Sequence, residues 1–422
     1  MTPNGPLDGL TVVDLSRVLS GPYCTMQLAD MGARVIKIEH PDRGDDTRAW
    51  GPPWVHGESS YFLSINRNKE SVAIDFKARE GRALLDRLIA RADILVENFR
   101  PGSLARQGLD YASLAATHPR LIYASISGFG QTGPRSHEAG YDAMVQAEGG
   151  LMSITGAPTS EPVRLGVAIS DIAAGLFAVQ GILLALIARG TTGRGQHVDI
   201  SMFDATAALL TYQAQRTLAT GAAPTRLGNR HASIAPYDTF AAADGTIVLA
   251  VGNDDQWQRF CGVAGLAAAA ADPRFVTNDG RVRQYGALQP VVEAAIAGDT
   301  VDGWLARLRG AGVPAGAVRA IDAVLADAQL AAREMVASVD HPTIGALRVL
   351  GVPVKLSDTP GAVRLAPPLL GQHTAAVLER ELGVSRDALE ALAAAGVVKC
   401  ASLRVRSTDG RRRTSQTDSE RA

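Results

Sequence analysis

Between residues 11 and 130 the chain switches hydrophobic period repeatedly. TVVDLS (11–16) reads as a buried strand, PYCTMQLADMG (22–32) as a helix stopped by glycine, and ARVIKIE (33–39) as a second strand. The pattern then returns, with SVAIDF (71–76) as strand, REGRALLDRLIARA (79–92) as helix and DILVENF (93–99) as strand. An amphipathic stretch over 111–117 leads into the strand LIYASISGFG (121–130). Strands that alternate with helices run parallel, because each helix carries the chain back across the sheet. The expected fold is α/β, a doubly wound, mostly parallel, Rossmann-like sheet, with its ligand beyond the carboxyl ends of the strands.

At 422 residues the chain exceeds one compact core. Its character changes near residue 227, where DTFAAADGTIVLAVGN reads as a hairpin turning at Asp244-Gly245. The helical stretches DQWQRFCGVAG, LQPVVEAAIAG and VDGWLARLRGAG follow. The expected organisation is a large domain over 1–226, a small α+β domain over 227–318, a segment over 319–398 that completes the large domain, and a polar, aperiodic, disordered tail over 399–422. With 42 Lys+Arg against 43 Asp+Glu the net charge is −1, so no global field draws the chain to nucleic acid or an anionic membrane. A polyanionic ligand therefore needs a local basic pocket. Cys24, Cys261 and Cys400 lie far apart without a CxxC pair, which argues against a disulfide framework or a structural metal. The first residues carry no basic stretch followed by an apolar one, so a cytoplasmic protein is expected.

Asp171 is the only charged residue between Leu165 and Ala188 in the run LGVAISDIAAGLFAVQGILLALIA. The run is long enough for a membrane span, but a central Asp costs about 2.5–3.5 kcal/mol on insertion scales, so a buried core helix is expected. Two readings of the carboxylate stand. Ser170 or Asp171 caps the helix that follows, or Asp171 is a nucleophile or proton carrier held at a helix start and screened from water.

No GxGxxG follows the first strand, where SRVLSGP stands instead, so Glu39 at the end of the second strand reads as a solvent-facing residue rather than a ribose ligand. The strings DLSRVLSGPYCT, GARVIKIE, NRNKESVAIDFK, VENFRPGSLARQGLDY, YASISGFGQTGP, AGYDAMVQAEGG and GVAISDIAAGLFAVQGIL occur in order over residues 7–398. Together they resemble the family III CoA-transferases. GDDTRAWGPP, HASIAPYDTF, GNDDQWQRFC and PPLLGQHT are most similar to the succinate–hydroxymethylglutarate CoA-transferase subfamily.

The resemblance implies that Asp171 is the catalytic carboxylate, passing an acyl group through an anhydride and an aspartyl-CoA thioester. Tyr141 and Asp142 match a tyrosine and an acid beside the active site. Val18, Leu19, Ser20, His40, Ile74, Lys77, Asn98, Phe99 and Arg106 match CoA-binding positions, and Gly252 and Asn253 match a shortened lid. CoA is then a substrate, with no permanent cofactor, and the partner is a second copy in an interlocked homodimer. A dicarboxylic acyl group requires a cation, for which Arg17, Arg48 and His231 are candidates. Two rival functions remain, an α-methylacyl-CoA racemase on the same fold and a non-catalytic acyl-CoA-binding protein. Tyr141 stands where the racemase needs a His as its second acid/base.

Overall fold

The computed structural model describes residues 5–401. Seven strands form the main sheet: β1 (Thr11–Asp14), β2 (Arg34–Glu39), β5 (Lys69–Ile74), β6 (Ile94–Glu97), β7 (Ile122–Ser127), β8 (His197–Ser201) and β14 (Val398–Lys399). Between them in sequence lie a small hairpin, β3 (Trp54–Val55) with β4 (Glu58–Ser59), and a three-stranded antiparallel sheet of β9 (Tyr237–Ala241), β10 (Thr246–Ala250) and β11 (Ala315–Ala317). A second hairpin pairs β12 (Val336–His341) with β13 (Gly345–Leu350). The main sheet runs β14-β5-β2-β1-β6-β7-β8, parallel except at the β14 edge. Its inner strands are apolar on both faces, as helix-covered parallel strands must be, and Val12, Val13, Ile94, Leu95 and Val96 are fully buried.

The strand order reverses between β1 and β6. From β1 the chain winds outward through β2 and β5, and from β6 it winds the other way through β7 and β8. Loops leaving the carboxyl ends of β1 and β6 therefore diverge and leave a crevice. After β1 the helix Ser20–Asp30 starts two residues earlier than the sequence suggests. Pro22 sits in its first turn, where its missing N–H costs nothing.

The apolar run forms one helix, Ile169–Thr192, but it is not the fully buried helix expected from composition. Its buried side is mostly small, with Ala173, Ala174, Gly175, Ala178 and Ala185, and with Ile182 and Arg189 as its large members. The large residues Leu176, Leu184 and Ile187 are 47%, 58% and 71% exposed. Small residues let the backbones approach closely. A Cβ on Gly175 would stand 2.8 Å from the Ser20 carbonyl oxygen, and one on Gly181 would stand 2.5 Å from Val198 Cγ1. Downstream, MFDATAALLTYQAQ divides at Leu210 into Met202–Leu209 and Thr211–Thr220.

The small sheet has its own core, in which Trp257, Phe260, Leu288, Val292 and Trp304 surround Ile247 and Leu249. The last helices, Thr374–Leu382 and Arg386–Ala394, return to the main core, packing Val377, Leu378 and Leu389 with Val72, Ile74 and Leu84. The expected tail begins one strand too early, because Lys399 pairs with Ala73 in β14, and Val398 with Ile74. Beyond residue 401 that expectation falls outside the described residues. The fit of the long helix on Ser20 gives a direct test. Gly175→Leu should lower stability by about 1–3 kcal/mol in urea unfolding, through overpacking against the Ser20 carbonyl; an unchanged midpoint would contradict this packing.

Candidate active site

Strand β1 ends at Asp14, and the loop beyond it is held from two directions. Asn98, just past β6, accepts the Arg17 N–H at 2.8 Å and donates Nδ2 to the Arg17 carbonyl at 2.6 Å. Val18 has φ +70°, a left-handed conformation that costs a β-branched residue about 1–3 kcal/mol, and its N–H donates to Asp45 Oδ1 at 3.3 Å. Beneath lies a buried lattice of charges. Lys37 Nζ donates to the Ser16 carbonyl at 2.9 Å and pairs with Asp45 at 2.9 Å, while Lys69 Nζ donates to the Pro22 carbonyl at 2.8 Å and pairs with Asp14 at 3.3 Å. Burial acts against the Asp45 charge, but Lys37 and the Thr47 donors hold it down at about 2. The loop backbone is thus tied to buried charges, through the Ser16 carbonyl on Lys37 and the Val18 N–H on Asp45, and cannot shift without leaving them short of a partner.

Asp171 lies in the first turn of the long helix, whose N-cap residue, Ala168, has no side-chain acceptor. Asp142 supplies it. Its Oδ1 accepts the Ser170 N–H at 2.9 Å and the Asp171 N–H at 3.4 Å, and its Oδ2 accepts from Gln146 Nε2 at 2.7 Å. Neither Ser170 nor Asp171 caps its own helix, so the expectation of a cap in this segment is corrected. The Ser170 hydroxyl is paired with Thr206 at 2.8 Å. The Asp171 carboxylate is left for other work, and it receives hydrogen bonds from the side chain and the backbone N–H of Ser20. Burial, then the Asp142 charge, push Asp171 up to about 6, against the lowering pull of the Ser20 donors. Two helix N-termini, at Ser20 and Ile169, therefore converge on one carboxylate of raised pKa.

Two cavities meet beside this group. One of about 460 Å³ is lined by Asp171, Ser20, Val18, Tyr141, Asn98 and Arg100, among others. The other, about 340 Å³, carries His40, Arg43, Ile74, Lys77, Phe99 and Arg106. Arg17 and Phe99 line both, with the Arg17 guanidinium 5.3 Å from the Phe99 ring centre. The second cavity is the local basic pocket that a near-neutral chain needs for a polyanion, and its aromatic and aliphatic walls suit a base.

Of the expected site residues, Asp171, Tyr141, Val18 and Ser20 surround the first cavity, and His40, Ile74, Lys77, Phe99 and Arg106 the second. Leu19 lines neither and is buried beneath the loop. Asn98 faces the carboxylate cavity, where it clamps the loop backbone rather than reaching a nucleotide. Arg48 is corrected as a substrate cation, because both its Nε and Nη2 bond Glu39, at 2.7 and 2.8 Å, and it lies over Phe62. Glu39 is likewise not solvent-facing, being buried with Arg48 and with the Ser71 hydroxyl at 2.6 Å. His231 is stacked between Tyr212 and Tyr237, and lines neither cavity. Gly252 and Asn253 lie outside both as well: the Gly252 N–H donates to Gln256 Oε1 at 2.6 Å and Asn253 caps the helix Asp254–Ala264.

Sequence reasoning missed Arg43, Arg100 and Tyr61. Burial and the charges of Asp171, Asp142 and Asp45 push the Tyr61 phenol up to about 12, which places it in the field of the site. Only the string PDRGDD hinted at Arg43, and ENFRPG at Arg100.

Residues 7–374 match the model of CoA-transferase family III. Among curated proteins the chain is 41% identical to succinyl-CoA:glutarate CoA-transferase of Mus musculus, over 93% of this chain and 90% of that one. It is 42% identical to succinate–glutarate CoA-transferase of Agrobacterium fabrum, over 91% and 97%. The acetyl-CoA:oxalate CoA-transferase of Acetobacter aceti is 45% identical, over 86% and 94%. Among solved structures, a CAIB/BAIF family protein from Brucella suis superposes with a TM-score of 0.80 at 44% identity, covering 90% of this chain and 100% of that one. A matching family model across most of the chain, and relatives above 40% identity over nearly their whole length, show that the chain belongs to the family III CoA-transferases.

Proposed function

We propose that this transferase moves CoA from a dicarboxylic acyl-CoA to a carboxylic acid acceptor by covalent catalysis at Asp171. The observation that carries the mechanism is the position of Asp171, hydrogen-bonded by Ser20 in a cavity that adjoins a basic, aromatic-lined pocket through Arg17 and Phe99. CoA is a substrate in this scheme. Its phosphates would lie against Arg43, Lys77 and Arg106 and its thioester beside Asp171.

In the first step a carboxylate oxygen of Asp171 attacks the thioester carbonyl, the C–S bond breaks and CoA thiolate leaves, giving a mixed anhydride. The thiolate attacks the aspartyl carbonyl and releases the donor acid, leaving an aspartyl-CoA thioester. The acceptor carboxylate attacks that thioester, expelling thiolate and forming a second anhydride. Thiolate then attacks the acceptor's acyl carbonyl and frees Asp171. Every intermediate stays activated, so no step has to climb from a stable ester. The Ser20 N–H and hydroxyl lie where negative charge develops on the aspartyl oxygens. No histidine lines the cavity among the described residues, and Tyr141 stands where a racemase of this fold places one, which disfavours that reading.

The dicarboxylate class rests on relatives whose names carry succinyl-CoA, glutarate and oxalate. We also propose a homodimer, because the outward Leu184 and Ile187 face of the long helix is an apolar surface that a second copy would cover. Interlocking of the two chains follows the family pattern. A cytoplasmic setting is proposed from the three unpaired cysteines.

Asp171→Ala should lower CoA transfer by at least about 10³-fold while CoA still binds; transfer at the wild-type rate would refute the nucleophile. The pH profile carries a sign. Only the ionised carboxylate attacks, so kcat/KM should fall about tenfold per unit below pH 6. Stability moves the opposite way: the folded pKa lies above the unfolded one, so the native state holds its proton longer and loses stability as pH rises from about 4 through 6. Asp171→Asn should therefore raise Tm at pH 8, and the gain should shrink as pH falls toward 4. Sedimentation should show a dimer, with Ile187→Glu shifting it toward monomer; a monomeric wild type would overturn the assembly.

A further inference from the structure

The cavity around Asp171 offers a free acyl group few charges. Of its lining anions, Asp46 is paired with Arg17 at 3.1 Å and Glu138 with Arg135 at 2.7 Å, which leaves Asp171 itself. Of its two lining arginines, Arg17 is taken by Asp46. Arg100 is the other, and among the described residues its guanidinium has no side-chain or carbonyl partner. It does not line the basic nucleotide pocket, so CoA phosphates do not claim it. Arg100 and Pro101 also form a wall shared with a third cavity that holds Glu97 and Asp110, yet no ion pair ties Arg100 to either. Burial pushes the Glu97 carboxyl up to about 7, which weakens its hold on a neighbouring cation. Arg48 and His231, the other cations expected for this task, are occupied or outside the cavity.

An unpaired guanidinium on the wall of a cavity that handles acyl groups is matched to a carboxylate, which it can grip through two parallel N–H···O bonds. Building on the transferase reading, we propose that Arg100 is the specificity residue that binds the distal, non-reacting carboxylate of a dicarboxylic acyl group, while the proximal carbonyl meets Asp171. A monocarboxylate of equal length would leave Arg100 unpaired and lose that bond. Diacids are thereby selected over monoacids without any change at the reacting atoms.

The test compares glutarate with valerate, acids of equal carbon number, as acceptors from succinyl-CoA, with acyl-CoA products followed by mass spectrometry. Wild type should prefer glutarate. In Arg100→Gln the ratio of kcat/KM for glutarate to that for valerate should fall about 10- to 100-fold, the loss appearing chiefly in the glutarate KM. Arg100→Lys, which keeps the charge without the fork, should recover part of the ratio and guards against a folding artefact. An unchanged ratio in Arg100→Gln, with wild-type transfer intact, overturns the role of Arg100 and leaves the transferase reading standing. A wild type that transfers CoA to valerate as readily as to glutarate also overturns it. A wild type that transfers CoA from succinyl-CoA to neither of these nor to any other acid in a donor–acceptor panel overturns both readings.

Discussion

The contact between Ser20 and Asp171 is the point on which the rest depends. Ser20 opens one helix and Asp171 lies in the first turn of another, and the two donors of Ser20 oppose the rise that burial and Asp142 impose on the carboxylate. A pKa near 6 leaves Asp171 ionised at neutral pH but barely solvated, the condition of a usable nucleophile.

Holding that contact explains the expensive construction beneath it. A residue at φ +70°, two buried lysines and the double clasp of Asn98 all bear on the loop between β1 and Ser20. Buried ion pairs add little net stability compared with apolar packing. Their effect here is to define one loop position, since moving it would take the Ser16 carbonyl from buried Lys37 and the Val18 N–H from Asp45. The mostly small inner face of the long helix completes the arrangement from the other side. Gly175 lets its backbone lie against Ser20, and the large side chains Leu176, Leu184 and Ile187 are displaced outward.

Much of this was legible in the sequence because it is local. Alternating periods gave the parallel sheet, and an isolated acid in an apolar run marked Asp171. What was not legible depends on long-range pairing. Nothing near Arg48 announces that Glu39 will take its guanidinium, and nothing near Ser170 shows that the helix cap comes from Asp142, 28 residues earlier. The apolar run misled for a similar reason, since composition cannot distinguish a helix buried all round from one whose large residues face outward. Arg100 escaped notice because an unpaired cation is recognised only once every neighbouring charge has been assigned.

The covalent role of Asp171 is tested most directly by trapping. Protein incubated with succinyl-CoA and then hydroxylamine or borohydride, digested and analysed by mass spectrometry, should carry a modification on the peptide containing Asp171, and only when the acyl-CoA is present. An unmodified Asp171 under conditions where CoA transfer proceeds would contradict an aspartyl intermediate.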